Sequence, residues 1–167
     1  MKAYLKLIDT RTDGTRYDVT PLFADQDAFA QLFKDLAAPF RSLDVDAVAC
    51  VDAPGFILGT AIALQLGKRI IPLRKGGKLP VPADKTTFRD YSGRRKSLEL
   101  RKNSVRRGEN MLLVDEWIET GAQINAAIRL IEKQNGKVVG IASINMDVNH
   151  RTDLIRRRYR VHTVWRE

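Results

Sequence analysis

The sequence predicts an α/β domain built on a twisted, mainly parallel sheet flanked by helices. Two observations carry this reading. The runs Val45–Val51, interrupted only by Asp46, and Met111–Val114 are apolar and rich in Val and Leu, as expected of strands buried on both faces. Segments of helical period alternate with such runs along the whole chain, which is the pattern of parallel strands joined by crossover helices.

In order, Ala3–Ile8 alternates loosely and is expected to be a strand. Asp13-Gly14 is a strong hairpin signal, so Arg16–Thr20 is expected to return as a second strand. Phe29, Leu32, Phe33 and Leu36 fall on one helical face, and Pro39 marks the end of that helix. Val45–Val51 is a buried strand. A helix from about Phe56 to Leu66 stops at Gly67, which suits the residue after a helix C-cap. Arg69–Leu73 is the next strand. Residues 76–97 are rich in Gly, Pro, Lys, Arg and Ser and read as a long mobile loop. Leu98–Arg101 is a short strand and Met111–Val114 a central one. Ile124, Ala127, Ile128 and Ile131 define a helix closed by Asn135-Gly136, and Val138–Met146 is β-rich. Thr152–Arg158 reads as a short basic helix and Arg160–Trp165 as a last strand. With no repeat and no linker, residues 1–167 are read as one domain.

The chain has 167 residues, 44% of them hydrophobic and 29% charged, which is globular rather than disordered. No apolar run approaches the roughly 20 residues that cross a bilayer. The N-terminus carries no signal-peptide core, and the only cysteine, Cys50, lies in an apolar run. A reducing, cytoplasmic compartment fits these features, with Cys50 as a buried small hydrophobe. The net charge of +9 suits a polyanionic partner. Basic residues concentrate at Arg69–Arg107 and Arg151–Arg166. Nucleic acid is one such partner, but no helix-turn-helix, zinc or RNA-recognition signature accompanies them.

The most informative segment is Met111–Ile124. Apolar residues run into Asp115 and Glu116, a short loop with Thr120 and Gly121 follows, and a helical pattern begins. A turn of this kind offers backbone N–H groups and a positive dipole end to a phosphate. The acid pair precedes it, where it could grip ribose hydroxyls. Upstream, Val51–Gly67 contains Asp52, Ala53, Pro54, Gly55 and Phe56. Ile70–Pro80 contains Arg74, Lys75 and Lys78, and Leu98-Glu99-Leu100 follows. In order, spacing and residue type these segments resemble the type I phosphoribosyltransferases, and among them the adenine phosphoribosyltransferases. The resemblance covers roughly residues 16–146.

The resemblance implies the type I phosphoribosyltransferase fold, with a small hood and a mobile catalytic loop near residues 80–97. The implied activity is transfer of a phosphoribosyl group from phosphoribosyl pyrophosphate (PRPP) to a free purine base, releasing pyrophosphate. The implied cofactor is Mg2+, bound mainly through PRPP rather than in a protein cage; the implied assembly is a homodimer. By resemblance, Glu119, Thr120, Gly121, Ala122 and Gln123 hold the 5′-phosphate. Asp115 and Glu116 face the ribose and point to solvent. Ala53, Pro54, Arg74, Lys75 and Lys78 form the pyrophosphate site. Arg16 and Tyr17 occupy the base pocket, and Glu99 is a catalytic glutamate near the leaving group or base.

Several positions depart from the family pattern. Pro54 fills a slot that usually holds an arginine. Arg16-Tyr17-Asp18 replaces Phe-Arg-Asp near the base. Ala122 adds a Cβ where glycine is usual, and Gln123 replaces a hydroxyl. Glu119 occupies a slot where enzymes of 6-oxopurines carry an acid near purine N7, so it is either a proton-relaying catalytic group or a charge favoured by the helix dipole. Adenine leads by overall resemblance. A 6-oxopurine or non-standard base, or a regulator without transferase activity, are the alternatives.

Overall fold

The computed structural model describes residues 2–14, 16–90 and 92–165. The chain opens with a 3-10 helix, Ala3–Leu7, followed by α1 (Thr20–Ala24) and α2 (Gln26–Ala37). Then come β1 (Ala47–Val51), α3 (Pro54–Leu66), β2 (Arg69–Lys75), β3 (Ala83–Arg89), β4 (Arg95–Arg101), β5 (Asn110–Val114) and β6 (Trp117–Ile118). The remainder is α4 (Ala122–Lys133), β7 (Lys137–Ser143), β8 (Asn145–Met146), α5 (His150–Arg158) and β9 (Arg160–Thr163).

Seven strands form the main sheet in the order β3-β4-β2-β1-β5-β7-β9, and β6 pairs with β8. The pairs β1–β2, β1–β5, β5–β7 and β7–β9 are parallel, while β3–β4 and β4–β2 are antiparallel. Period-two alternation divides the core between the two faces. Val48 and Cys50 of β1, with Leu112 and Val114 of β5, face α2 and α3. Ala47, Ala49 and Val51, with Met111 and Leu113, face α4. Every residue of β1 is buried. At Gly59 of α3 a Cβ would lie 2.4 Å from the Cβ of Cys50, so glycine lets this helix lie directly on the central strand. Deleting apolar volume from such a two-sided core typically costs 2–5 kcal/mol for Leu→Ala, so Leu112 and Leu113 are expected to be critical to folding.

The mainly parallel sheet and its flanking helices agree with the sequence reading; three local expectations do not. Ala3–Ile8 is not a strand: Leu5 and Ile8 are the buried residues, a spacing of three that a 3-10 turn stacks on one side. The expected hairpin shrinks to a single antiparallel bridge, Asp9 to Asp18, and Thr20 already starts α1 behind Pro21. Residues 76–97 are not a structureless loop, because β3 and the first part of β4 form an edge hairpin. One side of this hairpin packs Phe88, Leu98 and Leu100 against the core, and the other faces water, so its composition is that of an exposed ribbon. Asp90 fastens the turn by accepting from the Ser92 and Arg94 N–H groups and the Ser92 hydroxyl. Arg166, the end of the second basic cluster, and Tyr91 lie outside the described residues.

Candidate active site

The order of strands reverses between β1 and β5. After β1 the chain moves outward through β2 toward one edge, and from β5 it moves through β7 toward the other. Such a switch point opens a crevice beyond the strand C-termini. A cavity of about 700 Å³ lies there, lined by residues that follow β1, β2 and β5 and by part of the β3–β4 hairpin.

On the β5 side, Val114 leads into Asp115 and Glu116, and the Glu119–Gly121 turn follows β6. Gly121 has φ of 72°, which favours glycine, and a Cβ there would lie a tight 3.0 Å from the end of the Ile155 side chain. The concern about Ala122 falls away, since it is already the first residue of α4 and the left-handed turn belongs to Gly121. The turn is held from behind. Asn149 Nδ2 donates to the Glu119 carbonyl at 2.8 Å, and Arg151 Nη1 donates to the Thr120 carbonyl at 3.3 Å. Asn149 also caps α5 in a reciprocal capping box with Thr152. The N-x-x-T spacing makes this cap legible in the sequence, but its grip on a turn 30 residues away is not.

The two acids do not point freely to solvent: Asp115 and Glu116 are each only 4% exposed. Asp115 accepts from Gln123 Nε2 at 2.9 Å and from the Glu116 N–H at 2.9 Å. Burial, then the adjacent Glu116, push its carboxyl up to about 7. Glu116 is ion-paired with Arg16. Gln123 is thus engaged with Asp115 rather than left to replace the family's hydroxyl. Glu119 is half-buried on the cavity wall, and burial raises its pKa. Thr120 lines the cavity, and its hydroxyl accepts from the Ala122 N–H at 3.3 Å.

On the β1 side, Asp52 follows the strand, the Asp52–Ala53 peptide is cis, and Pro54 sits in the first turn of α3. Asp52 Oδ2 accepts from Arg74 Nε at 3.1 Å and from the Lys75 N–H at 3.4 Å, and lies 3.6 Å from Lys78 Nζ. Burial opposes ionisation of Asp52, but these donors prevail and hold its pKa below the ordinary value. Lys75 and Pro54 line the cavity, whereas Arg74 and Lys78 are turned toward Asp52. Arg74 also lies over the Phe56 ring at 5.8 Å.

Of the expected site residues, Ala53, Arg74, Lys78 and Ala122 are not on the cavity wall, and Glu99 and Tyr17 also stand back from it. Glu99 accepts from the Gly77 N–H at 2.7 Å and the Leu79 N–H at 3.4 Å, and pairs with Lys85. Those bonds hold its pKa low, the Gly77 N–H first, and they suit a residue that shapes the 76–79 turn. Tyr17 packs edge-on against Trp117 and Trp165, at 5.5 and 6.0 Å between ring centroids. The rings on the cavity wall are Trp117 and Phe88, beside Arg16. Trp117 and Asp52 lie within Met111–Ile124 and Val51–Gly67, and an acid directly after a buried strand marks Asp52 as it marks Asp115.

A glycine turn at a helix N-terminus, an acid pair before it and a lysine on the same switch-point cavity are the arrangement expected of a sugar-phosphate site on a doubly wound sheet. The comparisons with known proteins narrow this class. The family described as Phosphoribosyl transferase domain matches residues 23–164, and the chain belongs to it. An adenine phosphoribosyltransferase of Halothermothrix orenii is 36% identical over 124 residues, covering 74% of this chain and 72% of that protein. The crystal structure of the adenine phosphoribosyltransferase of Thermoanaerobacter pseudethanolicus superimposes with a TM-score of 0.85 at 28% identity, over 96% of each chain. That of the Saccharomyces cerevisiae enzyme, complexed with an imino-altritol bisphosphate and adenine, gives 0.81 at 25% identity, over 96% of this chain and 97% of that one.

Proposed function

We propose that this protein transfers the phosphoribosyl group of PRPP to adenine, forming AMP and pyrophosphate in purine salvage. The observation that carries the reading is the convergence of Asp115, Glu116, the 119–121 turn and Lys75 on one cavity. In the reaction adenine N9 attacks ribose C1 through its lone pair, the C1–oxygen bond breaks with its electron pair leaving on pyrophosphate, and the imidazole-ring proton, carried on N7 when N9 attacks, is released. Positioning and electrostatics supply most of the rate. The 119–123 backbone and the Thr120 hydroxyl hold the 5′-phosphate, and Asp115 and Glu116 bond the ribose hydroxyls. Lys75 meets the pyrophosphate, and Arg74 and Lys78 are close enough to join it by exchanging Asp52 for the ligand. Arg16 and Trp117 bound the base.

Magnesium fits this chemistry as a companion of pyrophosphate, supplying positive charge on the leaving group. Among the described residues no cluster of three His, Cys, Asp or Glu suits a protein cage, and Asp52 already carries three basic partners, so the ion would rest mainly on PRPP oxygens and water. The proposed setting is a cytoplasmic homodimer. Among the described residues no helix is long and apolar enough to cross a membrane.

A second reading, use of a 6-oxopurine, is favoured by one observation. Arg16 and Glu119 share the cavity wall, and an arginine can only donate, which suits an oxygen at purine C6 better than an amino group. Pyrophosphate release from PRPP and Mg2+ with adenine, hypoxanthine and guanine tests both. The fastest release is expected with adenine; faster release with hypoxanthine or guanine selects the second reading. PRPP binding without release for any base would make the protein a regulator. Glu119→Ala is expected to reduce turnover by roughly 10²-fold if the carboxylate handles the N7 proton. Normal turnover would leave it the role of a helix-end charge.

A further inference from the structure

A second groove, of about 470 Å³, adjoins the cavity and shares Phe88, Asp90 and Thr120 with it. Arg89 of β3, Arg129 of α4 and Arg151 of α5 all line it, and all three are exposed. Each guanidinium is steered there by a main-chain carbonyl. Arg89 Nη1 donates to Gly93 at 3.0 Å, Arg129 Nη2 to Thr87 at 3.4 Å, and Arg151 Nη1 to Thr120 at 3.3 Å. Among the described residues none of the three has a carboxylate within 4 Å, whereas Arg16, Arg69 and Arg74 each pair with one. Asp90 is the one acid on the groove wall, and its Oδ1 is committed to the Ser92 and Arg94 donors.

Three like charges from three separate elements around one groove repel each other, and an anion placed among them removes that penalty. Guanidinium groups match phosphate oxygens in geometry as well as charge. Asn125, also on the groove wall, adds an amide donor.

We propose that this groove is a second anion site, selective for a phosphate dianion, free or as a monoester, and separate from the 5′-phosphate site of the cavity. Thr120 belongs to both, so the two sites are coupled. Two dianions on either side of one turn repel, and each weakens the other by the same factor. Nucleic acid is less suited, because the arginines converge on a groove instead of tracking along a backbone.

The test is calorimetric titration of inorganic phosphate into the wild-type protein, alone and with saturating AMP. It is repeated with Arg129→Gln and Arg129→Glu, whose melting temperatures are checked first. The expected result is a saturable phosphate site that persists with AMP present, weakened but not lost. Its affinity should fall at least tenfold in Arg129→Gln and vanish in Arg129→Glu, with AMP affinity retained in both. Glycerol phosphate in place of inorganic phosphate shows whether the site accepts an ester. Abolition by AMP, indifference to both Arg129 variants, or no saturable phosphate binding would each overturn the proposal. AMP as a blocker rests on the function proposed above. Failure of AMP to bind would strike that function, while the Arg129 comparison would still report on the groove.

Discussion

Asp52 and Asp115 are built by the same local sequence logic and end in opposite electrostatic states. Each follows the last residue of a central parallel strand, and each is almost buried, at 5% and 4% exposure. Asp52 is met by Arg74, Lys78 and the Lys75 N–H, which hold it ionised. Asp115 is met by an amide and its own neighbour's N–H, with Glu116 beside it, and its carboxyl rises to about 7. Burial is common to both, so the partners decide the charge. The crevice therefore holds cations on a carboxylate at its β1 end, while its β5 end holds a carboxyl whose pKa is raised to about 7.

The largest effect expected from this contrast is in stability against pH. Asp115 has a folded pKa raised from an unfolded value of about 3.9. Its contribution is therefore fully present below about pH 4 and is lost as pH rises through about 7. A shift of this size corresponds to at most about 4 kcal/mol. Asp115→Asn should remove that slope, so that the variant gains on the wild type between pH 4 and 8 in denaturant titrations. Asp52 has the opposite sign: its contribution is present above about pH 4 and is lost only as pH falls through its lowered folded pKa. A wild-type stability that is flat from pH 4 to 8 would break the comparison at Asp115.

A smaller effect is expected in ligand binding. Asp115→Asn combined with Glu116→Gln should weaken PRPP by about 1–3 kcal/mol, because amides bond hydroxyls less strongly than carboxylates. Both acids are buried, so melting temperature must be followed alongside, and Glu116→Gln also releases Arg16. Undiminished PRPP affinity in a folded double variant would remove the pair from the ribose site.

The smallest effect is reserved for the leaving-group end. Pro54→Arg places the cation that the resemblance leads one to expect on the cavity wall, and should tighten pyrophosphate by several-fold, or about 1 kcal/mol. The proline occupies the first helical turn of α3, where its loss is tolerated, so stability should change little. No gain in pyrophosphate affinity would mean that Arg74, Lys75 and Lys78 already suffice.

The central elements were legible in the sequence because their cause is local and repetitive. Val45–Val51 and Met111–Val114 had to be buried strands, the 3.6-residue pattern of Ile124, Ala127, Ile128 and Ile131 had to be a helix, and Gly121 marked the tight turn between strand and helix. The acid pair and the Arg74–Lys78 cluster, in their order and spacing, carry the resemblance to the family. Segments packed on one side only escape that local regularity. The loose alternation of Ala3–Ile8 conceals a three-residue spacing, and the β3–β4 ribbon has the composition of a loop because half its surface faces solvent.

What the tertiary structure alone decided is which groups meet across long stretches of chain. Arg16 finds Glu116 100 residues away, Asn149 holds the Glu119 carbonyl, Gln123 turns to Asp115, and Glu99 ties down the 76–79 turn instead of facing the cavity. A sequence shows that an acid follows a strand, but its protonation depends on the dielectric and the charges around it, and those are set by elements distant in the chain. Residue type and backbone period are local properties; burial and partnership belong to the packed whole.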